Sequence, residues 1–241
     1  MSIIQRRPPQ NCAAKENAKP VITEVKKLDP FHECDRKGYH EFPANIAKEF
    51  GEREAVLLKY LAYGISDHPC TKDGKKWIFG SLNKLAKRYP YIKRSTLGSI
   101  LNRMESEGLI EIGCFNKWKH DKTQWFHVPQ KYLDACEKQK MINFNSHVAA
   151  KYGIPAAVIY HNLTYWIGDQ CKKNEGKLPV QSMSPAGLHE LLPFFSLNTI
   201  KRALKTLVAD SVILKTSPEK PLYTLPADHP IMVKFLGEDD F

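Results

Sequence analysis

The sequence predicts a mainly α-helical fold with small β-strands, arranged as two similar units along the chain. Three observations lead to this prediction. Apolar residues recur at helical spacing over 97–104 and again over 200–208. Each of these segments is followed by short apolar runs that are typical of strands. The third observation is an internal repeat, in which residues 42–65 align with residues 144–167 at an offset of 102.

The repeat continues beyond these segments with small changes of offset. At an offset of 103, the matching pairs are Pro90 and Pro193, Thr96 and Thr199, Leu101 and Leu204, and Ile110 and Ile213. Farther on, Phe126 and Val128 match Tyr223 and Leu225 at an offset of 97. Because insertions and deletions fall mostly in loops, this change predicts a loop about six residues shorter in the second unit.

Composition favours a folded protein with a polyanionic partner. Hydrophobic residues make up 42% of the 241 residues, which is typical of a globular protein. Lys and Arg outnumber Asp and Glu by 36 to 26, which gives a net charge of +10 and favours nucleic acid as the partner. From Gly74 to Met104 the chain has basic residues and no acidic one. The six scattered cysteines and the lack of a long apolar run predict a cytoplasmic protein with free thiols and no membrane partner.

The order of elements in each unit is that of a winged helix-turn-helix. In the first unit, helices are predicted over 47–65 with an interruption at Gly51, through Leu82, Leu85 and Ala86 with an end before Pro90, and from a cap at Ser95 or Thr96 to Gly108. Strands over 109–112 and 123–128 then enclose a basic loop. We therefore predict two small β-wings on a mainly α protein, built as two tandem winged helix-turn-helix domains. The predicted boundaries are a flexible arm at 1–40, domain 1 at 41–130, a connector at 131–141, domain 2 at 142–227 and an acidic tail at 228–241.

The candidate DNA-binding residues lie on one helix face and one loop of each unit. Short polar side chains and cations on the exposed face of a helix can meet base edges in a major groove. Lys93 and Arg94 are expected at phosphates, whereas Asn102 and Arg103 could read adenine or guanine. The full set is Lys87, Arg88, Lys93, Arg94, Ser95, Ser99, Asn102, Arg103, Lys117, Lys119, Lys122, Asn198, Lys201, Arg202 and Lys205.

Two alternatives stay open for these residues. Arg103 could form an ion pair with Glu107 one helical turn away, which would leave it an ordinary surface residue. Trp118 on the loop could stack on DNA or fold back onto the loop. Trp77 and Trp125 are predicted to lie in the core.

The loop of the first unit carries a family pattern. The run Phe115-Asn116-Lys117, followed by Asp121-Lys122-Thr123 and Trp125-Phe126, resembles the F-N-K…D-x-T-x-W-[YF] wing of replication proteins of phages and mobile elements. These are replisome organisers or winged-helix replication initiators. The resemblance covers residues 42–130 and, more loosely, 144–226. It implies binding to origin DNA in the cytoplasm of a bacterial host and recruitment of a host helicase, helicase loader or primase.

The sequence leaves three functions to compare. The first is a sequence-specific double-stranded DNA-binding protein that acts as a replication initiator or replisome organiser. The second is a transcriptional regulator, or repressor, with the same tandem fold. The third is an interaction module in which domain 2 docks a partner, and a homodimer is compatible with any of them. No nucleophile with a base, no pair of carboxylates and no phosphate-binding loop stands out, so we expect no enzyme activity, no cofactor and no metal.

Overall fold

A computed structural model describes residues 38–118, 120–173 and 178–236. Within them the chain forms a predominantly helical, mixed α/β fold with small antiparallel sheets. This confirms the prediction of a mainly helical protein with small strands. The predicted arm falls largely on residues 1–37, and the end of the predicted tail falls on residues 237–241. Both segments lie outside the described residues.

The first repeat, residues 39–127, contains four helices and five strands. Its elements are β1 (Tyr39–Pro43), α1 (Ala44–Phe50), α2 (Glu52–Asp67), β2 (Cys70–Lys72), β3 (Lys75–Gly80), α3 (Leu82–Arg88), α4 (Arg94–Ser106), β4 (Glu111–Gly113) and β5 (Gln124–His127). A linking helix, α5 (Gln130–Lys138), follows and occupies most of the segment predicted as a connector.

The second repeat, residues 141–224, has the same order of elements, and its described residues, 141–173 and 178–224, include no equivalent of β2. Its elements are β6 (Met141–Asn145), α6 (Ser146–Tyr152), α7 (Ile154–Lys173), β7 (Gln181–Ser182), α8 (Pro185–Leu191), α9 (Leu197–Ala209), β8 (Leu214–Lys215) and β9 (Leu222–Thr224). A final helix, α10 (Pro230–Leu236), places the buried Met232 in the core. The predicted tail at 228–241 is therefore wrong for residues 230–236, which the apolar spacing of Ile231, Met232 and Phe235 folds into a helix.

In each repeat a single glycine separates the first two helices. Gly51 has a φ of 106° and Gly153 a φ of 87°, a region that side chains with a Cβ rarely adopt. Each glycine accepts the first hydrogen bond of the next helix, from Ala55 and Ala157. The break predicted at Gly51 is confirmed, and its equivalent in the second repeat breaks the chain in the same way.

The start of α4 differs from the sequence prediction. The helix begins at Arg94, and Lys93 occupies the N-cap position without a side-chain hydrogen bond. The predicted cap at Ser95 or Thr96 is therefore wrong, because both residues already lie in the first turn. In the second repeat the equivalent residue, Ser196, caps α9 by accepting from the Thr199 amide at 3.2 Å. The predicted end at Gly108 is confirmed by its φ of 70° directly after the last turn.

The small sheets have matching strand orders. In the first repeat the order is β2-β3-β5-β4, and in the second it is β7-β9-β8. Ile112 pairs with Phe126, and Lys215 pairs with Tyr223. The chain has 13 residues between Ile112 and Phe126, and 7 residues between Lys215 and Tyr223. The second loop is therefore six residues shorter, as the change of offset predicts.

An antiparallel ribbon, β1 with β6, joins the two repeats. Its central pair is Glu41 with Asn143, which are equivalent residues of the two repeats. At its ends the Ala44 amide donates to the Lys140 carbonyl at 3.0 Å, and the Ser146 amide donates to the Gly38 carbonyl at 2.7 Å. The sequence does not predict this ribbon, and the arm predicted at 1–40 is wrong for residues 39–40, which lie in β1. Strand pairing between residues a hundred positions apart leaves no local signal.

One hydrophobic core continues through both repeats. Phe42 of β1 and Phe144 of β6 are completely buried in it. The apolar face predicted for α4 is confirmed by the burial of Leu97, Ile100 and Leu101. Because the repeats share a ribbon and a core, they pack against each other directly.

Candidate nucleic-acid interface

The exposed face of α4 carries most of the candidate residues of the first repeat. Ser95, Ser99 and Asn102 are exposed there, on the side opposite the buried face. Lys93 is exposed at the start of the helix. Within the described parts of the chain, no carboxylate forms an ion pair with Lys93, so its charge is available to an external anion.

The two arginines of α4 are held by neighbouring helices. Arg94 Nε donates to Asn83 Oδ1 of α3 at 2.6 Å, which fixes its guanidinium between the two helices. Arg103 donates to Glu54 Oε1 of α2. The Glu54 side chain is only 3% exposed, whereas the Arg103 side chain is 53% exposed. Arg103 therefore neutralises a buried carboxylate, and the sequence alternative, a pair with Glu107, is not formed.

The candidates on α3 divide into two environments. Lys87 is exposed. Arg88 is partly buried, and its guanidinium carbon lies 5.1 Å from the centre of the Tyr60 ring on α2. A cation stacked on an aromatic ring of a core helix is a packing element, so Arg88 is a weaker candidate for DNA contact than Lys87.

The loop between β4 and β5, here called the wing, is organised by Asn116. Its Nδ2 donates to the carbonyls of Asp121 at 3.0 Å and Thr123 at 2.7 Å. Its Oδ1 accepts from Trp125 Nε1 at 2.8 Å. The Thr123 amide donates to Asp121 Oδ1 at 2.9 Å. Hydrogen bonds from the Thr123 side chain and backbone lower the pKa of Asp121. The motif residues of the wing therefore fix its shape.

Aromatic rings support the base of the wing. Phe115 packs edge-on against Trp77 and Trp125, with ring centres 5.0 and 5.3 Å apart. The core position predicted for Trp77 is confirmed, since it is buried. The core position predicted for Trp125 is wrong, because its ring is only half-buried and packs against the exposed Phe79. A Cβ on Gly113 would lie 2.8 Å from the Trp77 ring. The rings and the glycine form a close-packed base.

The tip of the wing points its charges outward. Lys117 and Lys122 are exposed, and Lys119 lies outside the described residues. The Trp118 side chain is 67% exposed and stacks on His120, with ring centres 6.3 Å apart. Of the two alternatives for Trp118, folding back onto the wing is not observed. An open cleft of about 480 Å³ lies between the wing base and Arg94, and Asn83, Asn116 and Lys122 also line it.

The second repeat exposes its candidates in the equivalent place. Asn198, Lys201, Arg202 and Lys205 are all exposed on α9. Two of them, Lys201 and Lys205, line an open cleft of about 400 Å³ between α9 and the strands β8 and β9. In the described part of the chain no carboxylate pairs with any of these cations. Both repeats therefore present basic or neutral polar side chains on the same helix.

Sequence reasoning missed two residues that shape this surface, Asn83 and Glu54. Asp121 and Thr123 belong to the family pattern of the wing, but their side-chain turn was not predicted, although an Asp often accepts a hydrogen bond from the backbone two residues on. Asn83 and Glu54 carried no usable signal, since their partners Arg94 and Arg103 are distant in sequence. Only the folded chain brings these pairs together.

Comparisons with protein-family models, with curated proteins and with solved structures give no match. Within the described residues, none of the helices is both long enough and apolar enough to cross a bilayer. The functional argument therefore depends on the surface itself.

Proposed function

We propose that this chain is a sequence-specific double-stranded DNA-binding protein whose two repeats are tandem winged helix-turn-helix domains. It acts as a replication initiator or replisome organiser of a phage or mobile element. The supporting observation is that α4 and α9, which are equivalent helices, both expose polar or basic side chains. Among their candidate cations, only Arg103 forms an ion pair with a carboxylate of the described chain. Surfaces of this charge attract phosphate, and short helices of this kind fit the major groove.

The order of elements supports the assignment to winged helices. In each repeat a helix pair follows the first sheet strand, and a two-stranded hairpin follows the helix pair. The strand that precedes the helix pair is hydrogen-bonded to the second strand of the hairpin: β3 pairs with β5, and β7 pairs with β9. This arrangement presents the second helix of the pair and the hairpin loop on one surface, where both can meet a duplex.

The proposed contacts differ in kind. Lys93, Lys117 and Lys122 meet phosphates, which position the protein without reading sequence. Asn102 and Ser99 face base edges, and an Asn can bond both edge atoms of an adenine. Arg103 supports α4 through its ion pair with Glu54, and the exposed edge of its guanidinium meets the phosphate backbone of the DNA. The resemblance of the wing adds the replication role, the bacterial cytoplasm and a host helicase, helicase loader or primase as partner.

Selection of bound duplex fragments from the parent genome, followed by affinity measurement over a range of salt, tests the proposal. Replacing Lys201 and Arg202 together by Ala should weaken binding, and it should lower the slope of log K against log salt by about 0.9 for each of the two cations that neutralises a phosphate. The control is Lys138→Ala with Lys140→Ala, which removes two exposed lysines that lie on neither α4 nor α9. Equal affinities and equal slopes for the two double variants would exclude α9 from the interface and favour a partner-docking role for the second repeat.

The location of the recovered site separates the two DNA-binding functions. An initiator binds within a replication origin, and Asn102→Ala should then reduce replication of the element. Loss of a base contact costs about 1–3 kcal/mol of discrimination at one position of the site. A site within a promoter, with unchanged copy number in the variant, would instead make the protein a transcriptional regulator.

A further inference from the structure

The two repeats contact each other through reciprocal pairs of equivalent residues. Phe42 and Phe144, which are equivalent, contact each other across the ribbon with ring centres 5.9 Å apart. Phe42 also packs edge-on against Phe194 at 5.5 Å, and Phe144 packs edge-on against Tyr91 at 5.5 Å. Tyr91 and Phe194 are themselves equivalent. A contact from the first repeat to the second is thus matched by the same contact in the opposite direction.

The backbone repeats this reciprocity. The amide of Ala44 bonds the carbonyl of Lys140, and the amide of its equivalent, Ser146, bonds the carbonyl of Gly38, which is the equivalent of Lys140. The ribbon is centred on the equivalent pair Glu41 and Asn143. Reciprocal contacts centred on a pair of equivalent residues are the property of a two-fold interface, here formed within one chain. The repeats are therefore related by a pseudo-two-fold axis through the centre of the ribbon.

This symmetry restricts the DNA that both repeats can read together. The backbone of a duplex has two-fold axes perpendicular to its length, and a two-fold protein binds with its axis on one of them. Its two recognition helices then meet the grooves in opposite directions along the sequence. A direct repeat would present the second half-site to α9 in the wrong direction.

The side chains at the reading positions break the symmetry. Ser95, Gly98, Ser99 and Asn102 of α4 correspond in order to Asn198, Lys201, Arg202 and Lys205 of α9. Different side chains at the same positions select different bases. The two half-sites must therefore be unlike in sequence although they are opposite in direction.

We propose that one chain binds an imperfect inverted repeat, with α4 and α9 on two unlike half-sites related by the dyad of the duplex. This inference rests on the proposed DNA binding and specifies its target. It assigns to a single polypeptide the binding geometry that separate subunits provide in a homodimer.

The first test uses three synthetic duplexes of equal length and composition, derived from the site that fragment selection recovers. The first duplex has the recovered site unchanged. In the second, the half-site assigned to α9 keeps its position but is turned to the opposite direction along the duplex. In the third, the sequences of both half-sites are scrambled. Footprints of Asn102→Ala and Arg202→Ala assign the halves, because each variant loses protection on its own side. Reversal should weaken binding by about 100-fold, since engagement of a second linked site raises affinity by about 10²–10⁴-fold.

The results separate the two proposals. Equal or tighter binding to the reversed duplex, or protection of one half only, would overturn the inverted arrangement and leave DNA binding intact. Binding of the recovered site no tighter than the scrambled duplex would overturn DNA recognition itself, and the inverted arrangement with it.

A second test changes the reading face without touching the core. The triple variant Gly98→Lys, Ser99→Arg and Asn102→Lys gives α4 the side chains of α9 at three of the four reading positions. Gly98 has room for a side chain, because its nearest neighbour would lie 4.0 Å from the new Cβ. Fragment selection with this variant should recover a more nearly perfect palindrome of the α9 half-site. Two α9 half-sites in the same direction would overturn the inference.

Discussion

The two repeats share a backbone but differ in how they present the same helix. In the first repeat, α4 begins without a side-chain cap at Lys93, is tied to α2 through Arg103 and Glu54, and stands beside a long wing, with 13 residues between the paired Ile112 and Phe126. In the second, Ser196 caps α9, and only 7 residues lie between the paired Lys215 and Tyr223. The equivalents of Glu54 and Arg103 are Ala156 and Thr206, so the ion pair is absent there. Ribbon and core are thus symmetric, whereas the exposed surfaces have diverged.

The largest expected effects concern the symmetric part. Phe42→Ala and Phe144→Ala should each lower the free energy of unfolding by about 3–5 kcal/mol, since both rings are fully buried and leave cavities. Because the two rings occupy equivalent places, we expect the two losses to be similar. The measurement is urea denaturation of each variant.

The control for these variants is Tyr165→Ala, which removes a large aromatic ring that is 68% exposed. It should change the unfolding free energy by less than about 0.5 kcal/mol. A Phe144 variant as stable as the Tyr165 variant would show that the ribbon is not part of the common core. A double variant should also deviate from additivity, because the two rings are in contact.

The second prediction breaks the equivalence of the wings. Gly113→Ala should destabilise the protein by about 1–3 kcal/mol, because the new Cβ overlaps the rings of Trp77 and Phe115. The equivalent position in the second repeat is Thr216, where a side chain is already accommodated. Thr216→Ala is therefore the matched control, with an expected change of less than about 0.5 kcal/mol. Equal losses in urea denaturation would mean that the ring cluster does not form the base of the wing.

Local patterns predicted much of the fold, and pairings distant in sequence escaped prediction. The helices of both repeats and the shorter second loop followed from apolar spacing and offset, which depend on neighbouring residues. The β1–β6 ribbon could not be predicted, since Glu41 and Asn143 pair across more than a hundred residues. For the candidate surface, residue type and helical phase predicted that Asn102 and Lys201 are exposed. They could not show that Arg103 binds Glu54, because that contact depends on the packing of α4 against α2.

The third prediction exchanges the helix starts. Lys93→Ser should raise the unfolding free energy by about 1 kcal/mol, because the new hydroxyl can accept from the Thr96 amide as Ser196 does from Thr199. Ser196→Lys should lower it by a similar amount. Urea midpoints of the two variants check the opposite signs. Changes of the same sign would show that the two helix starts are not equivalent. If Lys93 contacts a phosphate, Lys93→Ser should also lower the salt slope of DNA binding by about 0.9.

The smallest expected effect is the pH dependence of the first wing. The bonds from Thr123 lower the pKa of Asp121, so the carboxylate stabilises the folded wing at pH values above the unfolded pKa, which is about 3.9. This contribution is lost as the pH falls through the lower, folded pKa. The Thr123 amide resonance should therefore shift with a midpoint below that of a free aspartate.

Asp121→Asn is the matched control, because its side-chain oxygen can still accept from the Thr123 amide but does not titrate. The shift should vanish in this variant. The Thr216 amide of the second repeat bonds the Leu222 carbonyl at 3.0 Å instead of a carboxylate, so it should not follow the same titration. A midpoint at or above the ordinary value for aspartate would contradict the hydrogen-bonded turn. A parallel shift of the Thr216 amide resonance would indicate general unfolding in acid. The shift at Thr123 could then not be assigned to the ionisation of Asp121.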